Sequence, residues 1–194
     1  MARMLDIRIA GAIAALVAAA LLALGLNGVN ADRATAAAQG CPKADATPGE
    51  ASTEQLGDSV LCLIGKERRR AGVKQVEEVR SLERVAEKHT DVMIKKDCLQ
   101  HRCDGERSLN DRIVRSGYPI AGGRYAFAEV TGCSRTPQAM VDAWMDKRVF
   151  RKRILGRPYR DVGVGAGKGK PDVRGCNDGR PRGVYTVIFA WRNR

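Results

Sequence analysis

Apolar positions recur at helical spacing in the first half of the chain and alternate with polar or glycine positions in the second half. Ser52 and Gln55 form the pattern of a capping box and predict a helix from about residue 53 to Ala71, ended by Gly72. A second amphipathic helix is predicted over residues 81–96. Its buried stripe comprises Leu82, Val85, Ala86, His89, Val92 and Met93. His89 is therefore interpreted as a core histidine with one hydrogen bond rather than as a catalytic residue.

Shorter elements follow these two helices. Residues 108–115 predict a third helix, and Thr136-Pro137 is a typical start for a fourth. Three strands are predicted, and they cover residues 125–130, 162–166 and 184–191. The glycines of the middle strand indicate a tightly packed face. Because helices come first and the paired strands come last, the order favours an α+β sandwich over a parallel sheet of βαβ units.

The N-terminal region has the parts of a secretory signal peptide. Arg3 and Arg8 precede an uncharged run rich in Ala and Leu, and small residues follow it. We expect a signal peptide at residues 1–31, cleaved after Ala31 or Ala38, then a linker at 32–52 and a folded domain at 53–194. The alternative is an uncleaved helix that anchors the protein in a membrane, since about 18 apolar residues can just cross a bilayer.

Six cysteines lie beyond the predicted signal: Cys41, Cys62, Cys98, Cys103, Cys133 and Cys176. An even number in an exported chain indicates three disulfides, for which sequence alone leaves 15 connectivities open. We predict the pairs Cys41–Cys62, Cys98–Cys103 and Cys133–Cys176. A competing zinc site at Cys98, His101 and Cys103 has no standard zinc spacing, and export favours oxidation.

The chain is strongly basic, with a formal net charge of +12. Removal of residues 1–31 would take away Arg3, Arg8 and Asp6, so the excess belongs to the folded part. It favours an anionic partner: an acidic cell-wall polymer, anionic lipid head groups or an acidic protein. Nucleic acid is not expected, because no reading helix or aromatic strip is evident. The basic run at residues 66–70 is interpreted as a solvated helix face.

Several segments, taken in order and spacing, carry a resemblance to a known family. They are Leu61–Arg68, Ala86–Met93, Arg112–Tyr118, Pro137–Met145 and Val162–Gly165. Together they resemble the CAP superfamily of cysteine-rich secretory proteins, antigen 5 and pathogenesis-related proteins, and in particular its bacterial secreted branch of SCP domains. The resemblance implies an α-β-α sandwich with a shallow cleft.

In many members that cleft holds two histidines and acidic residues able to bind a divalent metal. By resemblance, the first histidine falls on His101 and the glutamate on Glu129, but the second histidine falls on Phe150. Lys147 and Arg148 add positive charge beside it. One imidazole and one carboxylate are too few for a zinc site. We therefore predict no metal and no cofactor, and a hydrogen-bonded His101–Glu129 pair that is structural or a weak general base.

The sequence thus predicts a secreted, monomeric, non-enzymatic binding protein that acts at the cell envelope or outside the cell. Its candidate ligand-binding residues are Lys147, Arg148, Phe150 and Arg151. Phe150 either contacts a ligand or packs inward in the space of the missing histidine. The alternatives are a weak hydrolase that uses His101 and Glu129, and a membrane-anchored structural protein of the envelope.

Overall fold

The computed structural model describes residues 40–120, 123–172 and 175–192. The predicted signal peptide and its cleavage sites lie outside the described residues. The helices are α1 (Thr53–Arg70), α2 (Arg80–Lys95), α3 (Leu109–Val114), α4 (Pro137–Asp146) and α5 (Arg148–Ile154). The strands are β1 (Glu77–Glu78), β2 (Tyr125–Ser134), β3 (Asp161–Gly169) and β4 (Arg182–Arg192). No helix among the described residues combines the length and apolarity needed to cross a membrane.

The predicted helix starts are confirmed by their capping contacts. Ser52 Oγ accepts a hydrogen bond from the backbone nitrogen of Gln55, and the Gln55 side chain accepts one from Ser52. The side chains of Ser108 and Thr136 likewise accept from the backbone nitrogens of Asp111 and Ala139 at the starts of α3 and α4. These caps satisfy backbone N–H groups that a helix leaves unpaired in its first turn. Local side-chain chemistry therefore fixes where three of the helices begin.

The four strands form one mixed sheet in the order β1-β3-β4-β2. The antiparallel pairs β2–β4 and β3–β4 hold the centre, with Glu129 opposite Ile188 and Val164 opposite Val187. The two-residue strand β1 was not predicted, and it pairs with β3 in parallel. The other three strands were predicted at the right places but too short.

Successive side chains of β4 point to opposite faces of the sheet. They divide the core into two layers, which confirms the α-β-α sandwich. Tyr185, Val187 and Phe189 face a cluster that includes residues of α1 and α4, whereas Ile188 and Ala190 face α2 and α3. Every one of these five side chains is fully buried. Burial on both faces makes β4 the least exposed strand and explains its continuous apolar sequence.

Glycines in β3 allow α2 to lie directly on the sheet. A Cβ atom at Gly163 would come within 2.2 Å of the backbone carbon of Leu82, and one at Gly165 within 2.4 Å of that of Ala86. Neither backbone can move away cheaply, so any side chain at these positions would separate helix and strand. The tight packing predicted from the glycine pattern is confirmed.

All three predicted disulfides are present, and no free cysteine remains among the described residues. Their Cα–Cα distances are 5.7 Å for Cys41–Cys62, 6.1 Å for Cys98–Cys103 and 5.8 Å for Cys133–Cys176, within the normal range. The second bond closes the short loop after α2 that carries His101. The third ties the end of β2 to the loop between β3 and β4.

Arg68 contradicts the interpretation of residues 66–70 as a solvated face. Its side chain is fully buried and donates to the carbonyl oxygens of Lys74, Ile154, Gly156 and Tyr159. Burial lowers the pKa of this guanidinium, and the nearby charge of Arg160 lowers it further. A charge pattern alone could not separate Arg68 from its exposed neighbours, because its partners are distant backbone carbonyls.

The segment before α1 is packed rather than free. Cys41 and Ala51 are buried, and Ala44 and Ala46 pack against the same core. The Ala44 carbonyl oxygen also accepts a hydrogen bond from the backbone nitrogen of Gln138. The part of the expected linker from Cys41 onward thus packs as part of the domain, through more contacts than the disulfide alone.

Candidate functional site

Four parts of the chain meet at one cleft. His101 lies in the disulfide-closed loop after α2, and Glu129 lies in β2. Arg112 comes from α3 and Arg153 from α5. The two residues that the sequence singled out as candidates are therefore together, and they are joined by two arginines that it did not single out.

The predicted His101–Glu129 hydrogen bond is present. Nδ1 of His101 lies 2.9 Å from Oε1 of Glu129. The imidazole is 50% exposed, whereas the carboxylate is 1% exposed. The pair thus presents one edge of a ring to solvent above a buried negative charge.

Arg153 occupies the other side of the ring. Its Nη1 atom lies 3.1 Å from Nε2 of His101 and donates to the carbonyl oxygen of Glu129 at 2.8 Å. A guanidinium can only donate, so Nε2 must be the acceptor in this contact. Nδ1 then carries the hydrogen and donates it to Glu129. His101 is therefore neutral, in a single tautomer, with its lone pair directed at Arg153.

Arg112 engages the second carboxylate oxygen. Its Nη2 atom donates to Oε2 of Glu129 at 3.1 Å and to the carbonyl oxygen of His101 at 2.9 Å. Each oxygen of Glu129 now has a donor, one from an imidazole and one from a guanidinium. Charge-assisted contacts of this kind compensate for burying a carboxylate.

A second histidine–glutamate pair lies beneath the first. Nδ1 of His89 is 2.8 Å from Oε1 of Glu106, and Nε2 is 3.0 Å from the carbonyl oxygen of Gln100. Oε2 of Glu106 accepts from the backbone nitrogen of Cys103. Both partners of the His89 ring are acceptors, so the ring carries hydrogen on both nitrogens. His89 is fully buried, as predicted, but it makes two hydrogen bonds rather than one.

This arrangement limits the chemistry of the cleft. A general base needs a free lone pair within reach of a substrate proton, and a metal needs free lone pairs from three or four groups. Arg153 takes the lone pair of His101, and both oxygens of Glu129 are bonded. Over the described ranges, no group of three or more His, Cys, Asp and Glu side chains is arranged to hold a metal ion. These residues do not fit the divalent metal that the resemblance implies.

The predicted ligand-binding residues lie at the start of α5. Lys147, Arg148 and Arg151 are exposed, and Arg151 also donates to the carbonyl oxygen of Met145. Phe150 is partly buried and packs against the core. The exposed apolar residue of this segment is instead Val149, at 60% exposure. The apolar side chain that this basic segment exposes is therefore Val149 and not Phe150.

Of the residues that sequence reasoning missed, one could have been found from its spacing. Arg153 follows Phe150 by three positions, which places the two on one face of a helix. By resemblance, Phe150 stands where the family has its second histidine. An arginine on the same helix face, such as Arg153, therefore lies next to that position. Arg112 and Glu106 had no comparable signal, because their partners come from other elements of the chain.

Comparisons with known proteins agree with this architecture. The model of the cysteine-rich secretory protein family, CAP, matches residues 61–189. An outer surface protein of Borrelia burgdorferi is similar in structure, with a TM-score of 0.58 and 15% identity over 74% of this chain and 97% of that protein. A search of curated proteins gave no match.

Two other bacterial structures share the fold. An extracellular SCP-domain protein from Bacillus anthracis has a TM-score of 0.53 and 18% identity over 72% of this chain. A cysteine-rich secretory protein from Staphylococcus aureus has a TM-score of 0.51 and 15% identity, also over 72%. The chain spans only 40% and 39% of these two proteins. At such identities the likeness concerns the fold alone.

Proposed function

Because the chain belongs to the cysteine-rich secretory protein (CAP) family, we propose that it is an exported, non-enzymatic binding protein that associates with an anionic component of the cell envelope. The observation that carries the proposal is the closure of the cleft by Arg112 and Arg153. It leaves neither His101 nor Glu129 a free atom for a substrate. A hydrolase built on these two residues would need the lone pair that Arg153 holds.

Export is supported by three independent features. The N-terminal residues have the pattern of a signal peptide. All six cysteines are paired, which is typical of oxidising compartments. The similar proteins from Borrelia and Bacillus are described as an outer surface protein and an extracellular protein.

The proposed contact surface is the start of α5. Lys147, Arg148 and Arg151 present positive charge to solvent, and Val149 gives the surface an apolar centre. This combination suits an anionic group attached to an apolar body, such as a lipid head group. Phe150 supports the surface from below by packing against the core.

Binding to vesicles tests the proposal. We expect the protein to bind vesicles that contain phosphatidylglycerol, with an affinity that falls as salt is added, and not to bind vesicles of phosphatidylcholine alone. Each basic residue near a membrane surface contributes about 1 kcal/mol. The variant Lys147→Gln/Arg148→Gln/Arg151→Gln should therefore bind at least about tenfold more weakly.

The matched control removes the same charge elsewhere. Arg69, Arg70 and Lys74 are exposed near the end of α1, and their replacement by Gln also removes three positive charges. If this control weakens vesicle binding as much as the α5 variant does, the proposed surface is wrong. If neither variant changes binding, an acidic protein or cell-wall polymer replaces the membrane as the candidate partner.

A further inference from the structure

A separate cleft between α2 and α3 has a concentration of positive charge that the cleft at Glu129 does not explain. It has a volume of about 370 Å³, and its polar lining is Arg84, Lys88, Arg107, Arg112, Arg115 and Ser116. Five of these side chains are basic, and no carboxylate is among the lining residues. Like charges gathered in a concave surface repel one another, and the potential there attracts anions.

The grooves that border α2 differ in charge. A second groove is lined by Glu54, Asp58, Glu78, Glu83 and Glu87, with Arg80 as its one basic residue. Burial raises the pKa of Glu78, and the charges of Glu83 and Asp58 raise it further. Arg84 and Lys88 also border a third groove, which contains Glu87 and Asp91. Of these three grooves in the described part of the chain, only the cleft between α2 and α3, where these two residues meet the cations of α3, has basic residues and no carboxylate in its lining.

Arg112 makes the cleft more than a group of mobile surface side chains. Its side chain is 9% exposed, and Nη2 is fixed by Glu129 and by the carbonyl oxygen of His101. Its Nε and Nη1 atoms are buried without a hydrogen-bond acceptor in the described part of the chain. The carboxylate of Glu106 lies 3.6 Å from Nη1 and already accepts hydrogen bonds from His89 and from the backbone nitrogen of Cys103. Buried donors without acceptors are costly, and a bound anion is one remedy.

From these observations we propose that the cleft between α2 and α3 binds a phosphate-bearing ligand. A phosphate group offers three acceptor oxygens and up to two negative charges, which suits several Arg and Lys side chains that line one cleft better than one carboxylate does. The volume is within the range of small-ligand sites. The proposal concerns residues other than those of α5, so it is independent of the vesicle-binding surface proposed above.

Titration with inorganic pyrophosphate at low salt tests the site in solution. We expect saturable binding by the wild-type protein. Arg84→Gln/Lys88→Gln should weaken it at least about tenfold, since the variant removes two charge-assisted contacts to the anion. Arg107→Gln/Arg115→Gln changes another part of the lining and should have a similar effect. Arg112 is left intact because it also supports Glu129.

The control is Lys147→Gln/Arg151→Gln, which removes the same charge from α5 and should change pyrophosphate affinity less than about twofold. The proposal is overturned if the wild-type protein shows no saturable binding. It is equally overturned if the control weakens binding as much as the cleft variants do. If the wild-type protein shows no saturable pyrophosphate binding but still binds anionic vesicles through α5, only this second proposal has failed.

A second arm distinguishes the source of the phosphate. Vesicles that contain phosphatidic acid are added to the wild-type protein and to Arg84→Gln/Lys88→Gln. Vesicle binding that pyrophosphate competes away, and that the cleft variant loses, supports a lipid head group as the ligand. Pyrophosphate binding with no cleft-dependent vesicle binding supports a free phosphorylated molecule.

Discussion

The molecule contains two histidine–glutamate pairs with almost the same first contact and different surroundings. The Nδ1–Oε1 distances are 2.8 Å in His89–Glu106 and 2.9 Å in His101–Glu129. The His89 side chain is 0% exposed and that of His101 is 50% exposed. The second ring nitrogen faces a carbonyl oxygen in the first pair and a guanidinium in the second.

The partner of the second nitrogen decides what each histidine can do. Between two acceptors, His89 is a charged link that joins α2 to the loop containing Glu106. Between an acceptor and a donor, His101 is neutral, and its lone pair is bound by Arg153. A histidine beside a buried glutamate suggests a general base, but here neither ring has a lone pair to offer a substrate.

The largest expected difference is in stability. His89→Ala removes a fully buried charged ring and leaves Glu106 and the Gln100 carbonyl oxygen without their donor. It should lower the free energy of unfolding by about 3–5 kcal/mol. His101→Ala leaves one buried oxygen of Glu129 without its donor, but water can enter the half-exposed position of the ring, so the change should cost about 1–2 kcal/mol. Urea unfolding measures both, and equal losses would contradict the distinction between the pairs.

Arg112 supports the exposed pair from below, and its removal should have an intermediate effect. Arg112→Leu leaves Oε2 of Glu129 without a donor and should cost about 2–3 kcal/mol, as for a hydrogen bond to a charged group. Adding Glu129→Gln removes the uncompensated charge, so the double variant should be more stable than additivity predicts. Strict additivity in urea unfolding would show that the two side chains are not coupled.

Arg153→Ala should have a small effect on the free energy of unfolding, but it should change the hydrogen bonding of the His101 ring. The change frees Nε2 of His101, while Glu129 still orients the imidazole through Nδ1, as carboxylates do for zinc-bound histidines. We expect the Nε2 signal of His101 to change in this variant, because the nitrogen then accepts a hydrogen bond from water instead of from a guanidinium. Arg148→Ala, which replaces an exposed arginine of the same helix, is the control and should leave that signal unchanged. Equal His101 nitrogen signals in the wild-type protein and in Arg153→Ala would contradict the role of Arg153.

The sequence predicted most of the fold because the signals for it are local. Ser52 and Gln55 cap α1 through contacts between residues three positions apart. The alternating glycines of β3 likewise indicate, by their spacing alone, a face on which another element packs closely. The cysteine pairs were also predicted correctly. The two-residue strand β1 could not be predicted, since Glu77 and Glu78 have no apolar alternation and pair only because β3 lies beside them.

The candidate site was predicted only in part, because its deciding contacts are long-range. His101 and Glu129 were placed by resemblance and do meet. The contact between Arg153 and His101 joins residues 52 positions apart, and within the basic run of α5 only the three-residue spacing from Phe150 distinguishes Arg153. Arg68 was misjudged for the same physical reason, because its carbonyl partners include Ile154, 86 positions away.

The most direct test of the central claim is the state of the two histidine rings. The chain contains only two histidines, so their nitrogen signals can be assigned without ambiguity in a long-range nitrogen–proton spectrum at neutral pH. We predict hydrogen on both nitrogens of His89, and hydrogen on Nδ1 alone in His101, with Nε2 as an acceptor. A His101 ring protonated at Nε2, or one that is unaffected by Arg153→Ala, would contradict the closure of the cleft by arginine.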